Sequence, residues 1–143
     1  MPYEYLDHQA DLGIRGMGET PQEALSAGAQ AMLAAIANLD TVRCTQTWTQ
    51  RCTAPDIGAL FVEWLNELLY QREIHGALFV SAQVIDLEQR ADGWVLTGTV
   101  CGEPLALDRH EIYTEVKAAT YSGLGYGYCS EKGCYVVQCV VDV

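Results

Sequence analysis

From Asp56 onward, apolar residues recur at steps of three and four: Leu60, Phe61, Trp64, Leu65, Leu68 and Leu69. That spacing gathers all six into one wide stripe on an α-helix, and a stripe so broad must be buried against another layer. Core packing accounts for it better than a cofactor box does. Glu63, Asn66, Glu67 and Gln71 lie off the stripe and are expected to face solvent or a partner. An earlier helix is announced by Thr20-Pro21-Gln22-Glu23, which supplies a cap, a proline at the first helical position and an acid three residues after the cap. It should run to about Asn38, with Ala24, Leu25, Ala31, Met32, Ala35 and Ile36 inward, and its alanines suit close approach to a sheet.

Around these helices the chain reads as strand. Tyr3 to His8 alternates apolar and polar residues, and Gly13 to Met17 is a second short extended piece. Cys44 to Thr53 is Thr-rich and alternating. Ala77 to Gln89 and Trp94 to Gly102 form a hairpin about Ala91-Asp92-Gly93. Pro104 to Arg109 reads as a loop, Ile112 to Tyr121 as a strand, Gly123 to Gly133 as a glycine- and tyrosine-rich connection, and Tyr135 to Val143 as a final strand. The order β-β-α-β-α-β-β-β-β predicts an α+β, two-layer domain in which two helices pack on one face of a mixed sheet. At 143 residues, one domain spanning 1–143 is expected.

The formal net charge of −11 argues against a direct, sequence-independent grip on nucleic acid, which needs Lys and Arg to neutralise phosphates. An acidic surface favours cations and basic partners instead. The first residues carry no basic and apolar leader pattern, and no apolar run approaches the roughly 20 residues that span a bilayer. The expected location is therefore cytoplasmic, with no membrane contact. In that setting the six cysteines, Cys44, Cys52, Cys101, Cys129, Cys134 and Cys139, read as buried free thiols. Cys129, Cys134 and Cys139 lie five apart, unlike the paired short spacings of zinc sites.

Chemistry concentrates near the two termini. Asp142 and the carboxylate of Val143 are set at the end of a strand, and Asp11 lies in Asp7-His8-Gln9-Ala10-Asp11-Leu12-Gly13. If the termini meet, these oxygens suit a hard cation such as Ca²⁺ or Mg²⁺; otherwise Asp11 simply caps a turn. Asp7 and His8 suit either acid/base work or a structural hydrogen-bonded pair. Lys117, mid-strand between Val116 and Ala118, suits an acidic group or a partner's phosphate, or is an ordinary strand lysine with its stem on the sheet. Ser122 lacks the preceding glycine of a nucleophile elbow, and Gly123 to Gly127 lacks the lysine and strand-to-helix context of a phosphate loop.

Five segments, in order and over nearly the whole length, carry a resemblance: Leu6-Asp-His-Gln-Ala-Asp11-Leu-Gly-Ile14, Trp64-Leu-Asn-Glu-Leu-Leu-Tyr70, Gly102-Glu-Pro104 with Arg109-His-Glu111, Thr114-Glu-Val-Lys-Ala-Ala-Thr-Tyr121, and Val141-Asp-Val143. With them the chain resembles the archease family. That resemblance implies a protein that is no enzyme itself. It implies an activator of an RtcB-type RNA ligase that promotes guanylylation of the ligase's active-site histidine and multiple turnover in tRNA splicing and RNA repair, meeting RNA only through the ligase. It further implies a divalent cation, Ca²⁺ first with Mg²⁺ or Mn²⁺ as alternatives, on Asp11, Asp142 and Val143. Asp7, His8 and Lys117 are expected behind the ligands or against the partner. The chain departs from the family's common residues at Gln9 (Thr) and Ser122 (His), and matches it least from Gly123 to Cys139. Two rival functions stand beside it: a metal-dependent phosphohydrolase using the same acidic cluster, and a chaperone-like interaction module without metal chemistry.

Overall fold

The computed structural model describes residues 2–7 and 11–143, Asp7 by its backbone alone. Among the described residues seven strands and two long helices follow one another: β1 (Tyr3–Asp7), β2 (Asp11–Gly18), α1 (Pro21–Ile36), β3 (Gln46–Ala54), α2 (Ile57–His75), β4 (Ala77–Arg90), β5 (Gly93–Pro104), β6 (Ala118–Cys129) and β7 (Cys134–Asp142), with a short 3₁₀ turn at Leu39–Thr41. The α+β class is as predicted. The single mixed sheet is not: the strands form two sheets, ordered β1-β2-β7-β6 and β3-β5-β4, and every pairing in them is antiparallel. The crossovers explain why. α1 carries the chain from the first sheet to the second, and α2 joins β3 to β4, between which β5 inserts antiparallel to both. None of the helices in the described residues is long and apolar enough to cross a membrane.

Both helices begin as their sequences dictate. The Thr20 hydroxyl accepts from the Glu23 N–H at 3.1 Å, and the Asp56 carboxylate accepts from the Ala59 N–H at 2.8 Å. α2 ends at Gly76, whose φ of 55° places it in the left-handed region that closes a helix cheaply only in glycine. The predicted α2 stripe is the core: Leu60, Phe61, Trp64, Leu65 and Leu68 are buried with Leu25, Met32 and Ile36 of α1. On β7, Val137, Cys139 and Val141 turn into that core, so Gln138 and Asp142 alternate onto the opposite, outer face.

Polar side chains of both helices also dress open sheet edges. On α1, Gln22, Ser26 and Gln30 stand four residues apart, one above another. Gln22 Nε2 donates to the Val84 carbonyl (3.0 Å), Ser26 Oγ accepts from the Val84 N–H (2.9 Å), and Gln30 donates to the Val80 carbonyl (2.8 Å) while accepting from the Ala82 N–H (3.2 Å). At Val80, Ala82 and Val84 the outer edge of β4 thereby finds partners within the chain, which blunts that stretch against intermolecular pairing. Asn66 of α2 does the same for β6, donating to the Ala119 carbonyl (3.0 Å) and accepting from its N–H (2.8 Å). The expectation that Asn66 faces solvent or a partner is corrected by this pair, which turns it onto β6 of its own chain.

Two boundaries and one cysteine reading also change. Residues 112–117 lie outside the sheets. They fasten to the end of α1, where Tyr113 N–H donates to the Ile36 carbonyl at 2.8 Å and Asn38 N–H to the Glu111 carbonyl at 2.8 Å. Of the glycine-rich stretch expected as a connection, Gly123 to Cys129 is instead part of strand β6, irregular between Thr120 and Gly125, and only the turn over 130–133 connects. Gly125 leaves room for the Gln138 side chain to fold across β6 and donate to the Gly123 carbonyl at 3.2 Å. Cys44 and Cys101 are joined in a disulfide with Cα atoms 5.2 Å apart, whereas Cys52, Cys129, Cys134 and Cys139 are free. β3 and β5 bring the first two together, a long-range pairing that spacing does not disclose.

Candidate functional site

The register of β2 on β7 pairs Asp11 directly with Asp142, and that of β6 on β7 pairs Asp142 with Ala118. Residues so opposed share a face and have Cβ atoms about 4.5–5.5 Å apart. Four residues along, the same outer face carries the Arg15–Gln138 pair, where Arg15 Nε and Nη2 donate to Gln138 Oε1 at 3.0 and 2.8 Å. Asp11 and Asp142 are both half-buried. The Asp142 carbonyl accepts from the Lys117 N–H at 2.8 Å, which stitches the chain's last residues to the start of β6, and Val143 follows, 40% exposed.

Opposed carboxylates repel, so a rim of this kind is stable only with a compensating positive group or polar donors. Among the described residues the rim's Asp11 and Asp142 offer hard oxygens, the set that Ca²⁺ and Mg²⁺ prefer. Among the described residues no cluster of three or more His, Cys, Asp or Glu side chains is placed to hold a metal ion. A cation on this rim would therefore draw on oxygens beyond the two side chains.

The other expected site residues divide. The backbone of Asp7 pairs with Leu12 beside the rim. His8 lies outside the described residues. Lys117 adjoins Asp142 through its backbone, and it is exposed where it helps line a cavity of about 670 Å³ with Asn66, Arg72, Leu105, Ile112 and Glu115.

Sequence reasoning assigned no role to the cluster that secures the segment between β5 and β6. Glu103, buried at the end of β5, accepts from Arg109 Nη1 and Nη2 at 2.9 and 2.7 Å, from the Arg43 N–H at 2.6 Å and from His110 Nε2 at 3.0 Å. His110 Nδ1 accepts from the Ala106 N–H at 3.0 Å, which leaves the ring proton on Nε2, facing Glu103. The bidentate Arg109 guanidinium, with the His110 and Arg43 hydrogen bonds, holds the Glu103 carboxyl well below the usual carboxylate range. The cluster folds the chain back after Pro104 and so fixes the approach to Lys117 and the rim. Its sequence signal was a lone acid closing an apolar strand, with Arg and His six and seven residues later.

Residues 3–143 match the profile of the Archease protein family (MTH1598/TM1083). The protein archease of Methanopyrus kandleri is 35% identical over 143 residues, all of both chains, and that of Methanosarcina mazei is 33% identical over 99% of this chain and 95% of its own. The solution structure of Methanobacterium thermoautotrophicum protein 1598 superposes with a TM-score of 0.82 at 26% identity, covering 99% of each chain. A Thermotoga maritima archease described as a possible chaperone shares the fold, with a TM-score of 0.56 at 16% identity over 96% of this chain and 94% of that one.

Proposed function

This chain belongs to the archease family, and from that membership we propose that it is a metal-binding protein cofactor of an RtcB-type RNA ligase, promoting guanylylation of the ligase's active-site histidine and its multiple turnover. The observation that carries the reading is the direct opposition of Asp11 and Asp142 at the rim where the chain ends. Asp11, Asp142 and the Val143 carboxylate hold a divalent cation, Ca²⁺ first and Mg²⁺ or Mn²⁺ as alternatives. Once bound, such a cation supplies positive charge able to hold a phosphate oxygen. The chain's own contribution is placement: β2 and β7 fix both carboxylates on one face, and the Lys117 N–H holds the Asp142 carbonyl. Lys117, exposed where it lines the cavity next to Asp142, offers its ammonium to an acidic or phosphorylated group of the ligase complex, with Asp7 and His8 supporting the site. With a net charge of −11 the protein meets RNA only through the ligase.

The test is multiple-turnover ligation of a 3′-phosphate RNA by the cognate ligase with GTP and Mn²⁺, in the presence of the wild type or of Asp11→Ala or Asp142→Ala. Stimulation by the wild type alone, with both variants folded, is expected. Equal stimulation by the variants would remove the acidic rim from the mechanism. Turnover of phosphate esters by this protein alone, lost in His8→Ala, would replace the reading with that of a hydrolase.

A further inference from the structure

The tip of the β6–β7 hairpin carries chemistry that the proposed function does not use. Cys129 closes β6, Cys134 opens β7, and the register pairs them directly across the turn Ser130-Glu131-Lys132-Gly133. The turn is held by the Gly133 N–H, which donates to the Cys129 carbonyl at 2.8 Å, with Gly133 at a φ of 66°. Both thiols are free and half-buried. Directly opposed residues of an antiparallel pair have Cα atoms about 4.5–5.5 Å apart, inside the roughly 4.4–6.8 Å that a disulfide spans. The remaining cysteines do not compete. Cys44 and Cys101 are bonded to each other, and Cys52 and Cys139 are buried in the core.

A shallow hollow of about 320 Å³ adjoins the pair, lined by Gly125, Tyr126, Gly127, Cys129, Val136 and Gln138. Its floor is backbone where two strand positions lack side chains, and a Cβ added at Gly127 would meet nothing within 4 Å. Small molecules therefore have an open approach beside Cys129, whereas Cys134 does not line the hollow.

We infer that Cys129 and Cys134 form a thiol–disulfide exchange site for a low-molecular-weight disulfide of the glutathione type, which enters over Gly125 and Gly127 and reacts first at Cys129. In the first step the Cys129 thiolate attacks one sulfur of the reagent, forming a mixed disulfide and expelling one thiolate. In the second the Cys134 thiolate attacks the Cys129 sulfur, forming the Cys129–Cys134 disulfide and expelling the second thiolate. The two cysteine protons end on the two released thiols. The protein dithiol is oxidised and the reagent disulfide reduced, two electrons in all.

The experiment treats the full chain, with its Cys44–Cys101 bond intact, with oxidised glutathione and follows it by intact mass and peptide mapping. Expected for the wild type is loss of two hydrogens, mapped to Cys129 and Cys134, without retained glutathione. Cys134→Ser should stop at a mixed disulfide on Cys129. Placing Gly127→Val in that variant should slow the mixed disulfide on the order of tenfold by closing the approach, and far-UV circular dichroism confirms the fold of each variant. A wild type that remains a dithiol, or that accumulates glutathione without closing the bond, overturns the site. Labelling of Cys134 in Cys129→Ser as fast as that of Cys129 in Cys134→Ser overturns the order of attack, as does an unchanged rate in the Gly127→Val variant.

Discussion

Gln50→Met should stabilise this protein. Gln50 lies on β3, 4% exposed, opposite Gly98, over which the Trp64 ring packs. Neither its Nε2 nor its Oε1 finds a hydrogen-bond partner among the described residues. In the unfolded chain both atoms are hydrated, so folding strips that hydration without replacing it, at about 1–3 kcal/mol for a buried unsatisfied group. Methionine keeps the length of the side chain and removes both polar atoms, at little cost in packing. A gain of about 2 kcal/mol is expected, which for a chain of this size raises Tm by roughly 4–8 °C. The assay is thermal and urea unfolding of both proteins, with an unchanged urea slope showing that stability alone has moved. A methionine variant no more stable than wild type would refute the reasoning, because it would mean that the amide is satisfied in solution, for instance by an internal water.

Three further outcomes follow from the geometry. Gln30→Ala releases the Val80 carbonyl and the Ala82 N–H at the edge of β4, and should cost about 1–3 kcal/mol in urea unfolding, with more concentration-dependent aggregation. The folded state holds the Glu103 carboxyl below its ordinary value of 4.5, so the stability this confers is present above pH 4.5 and lost as pH falls below it. Arg109→Met should accordingly lower the urea midpoint at neutral pH, with the gap from wild type closing on acidification below pH 4.5; a gap independent of pH would contradict the ion-pair account. Burial pushes the Cys52 and Cys139 thiols up from 9.0 to about 12, so their contribution is full below pH 9 and lost as pH rises towards 12. Cys139→Ala should show a shallower alkaline loss of stability than wild type, and neither thiol should react with a thiol reagent at pH 8 before unfolding.

The sequence by itself determined what depends on neighbours along the chain. The α2 stripe, the Thr20 and Asp56 caps and the extended run of β7 are local patterns, so the helices, their core residues and the place of Asp142 at the end of a strand were legible in them, whereas its outward face was not. The grouping of Asp11 with Asp142 was legible only as an expectation, since it needs β2 and β7 to pair in one particular register. Tertiary structure alone decided the rest. Which strands neighbour one another, and hence two antiparallel sheets in place of one mixed sheet, depends on β5 inserting between β3 and β4, a long-range choice that no local window contains. Three glycines weaken the strand propensity of Gly123 to Cys129, and the segment became strand because β7 offered an edge to pair with. The Cys44–Cys101 bond needs two distant segments brought within bonding distance, and the Glu103 cluster and the glutamine and asparagine side chains at sheet edges arise where distant segments leave polar groups in need of partners.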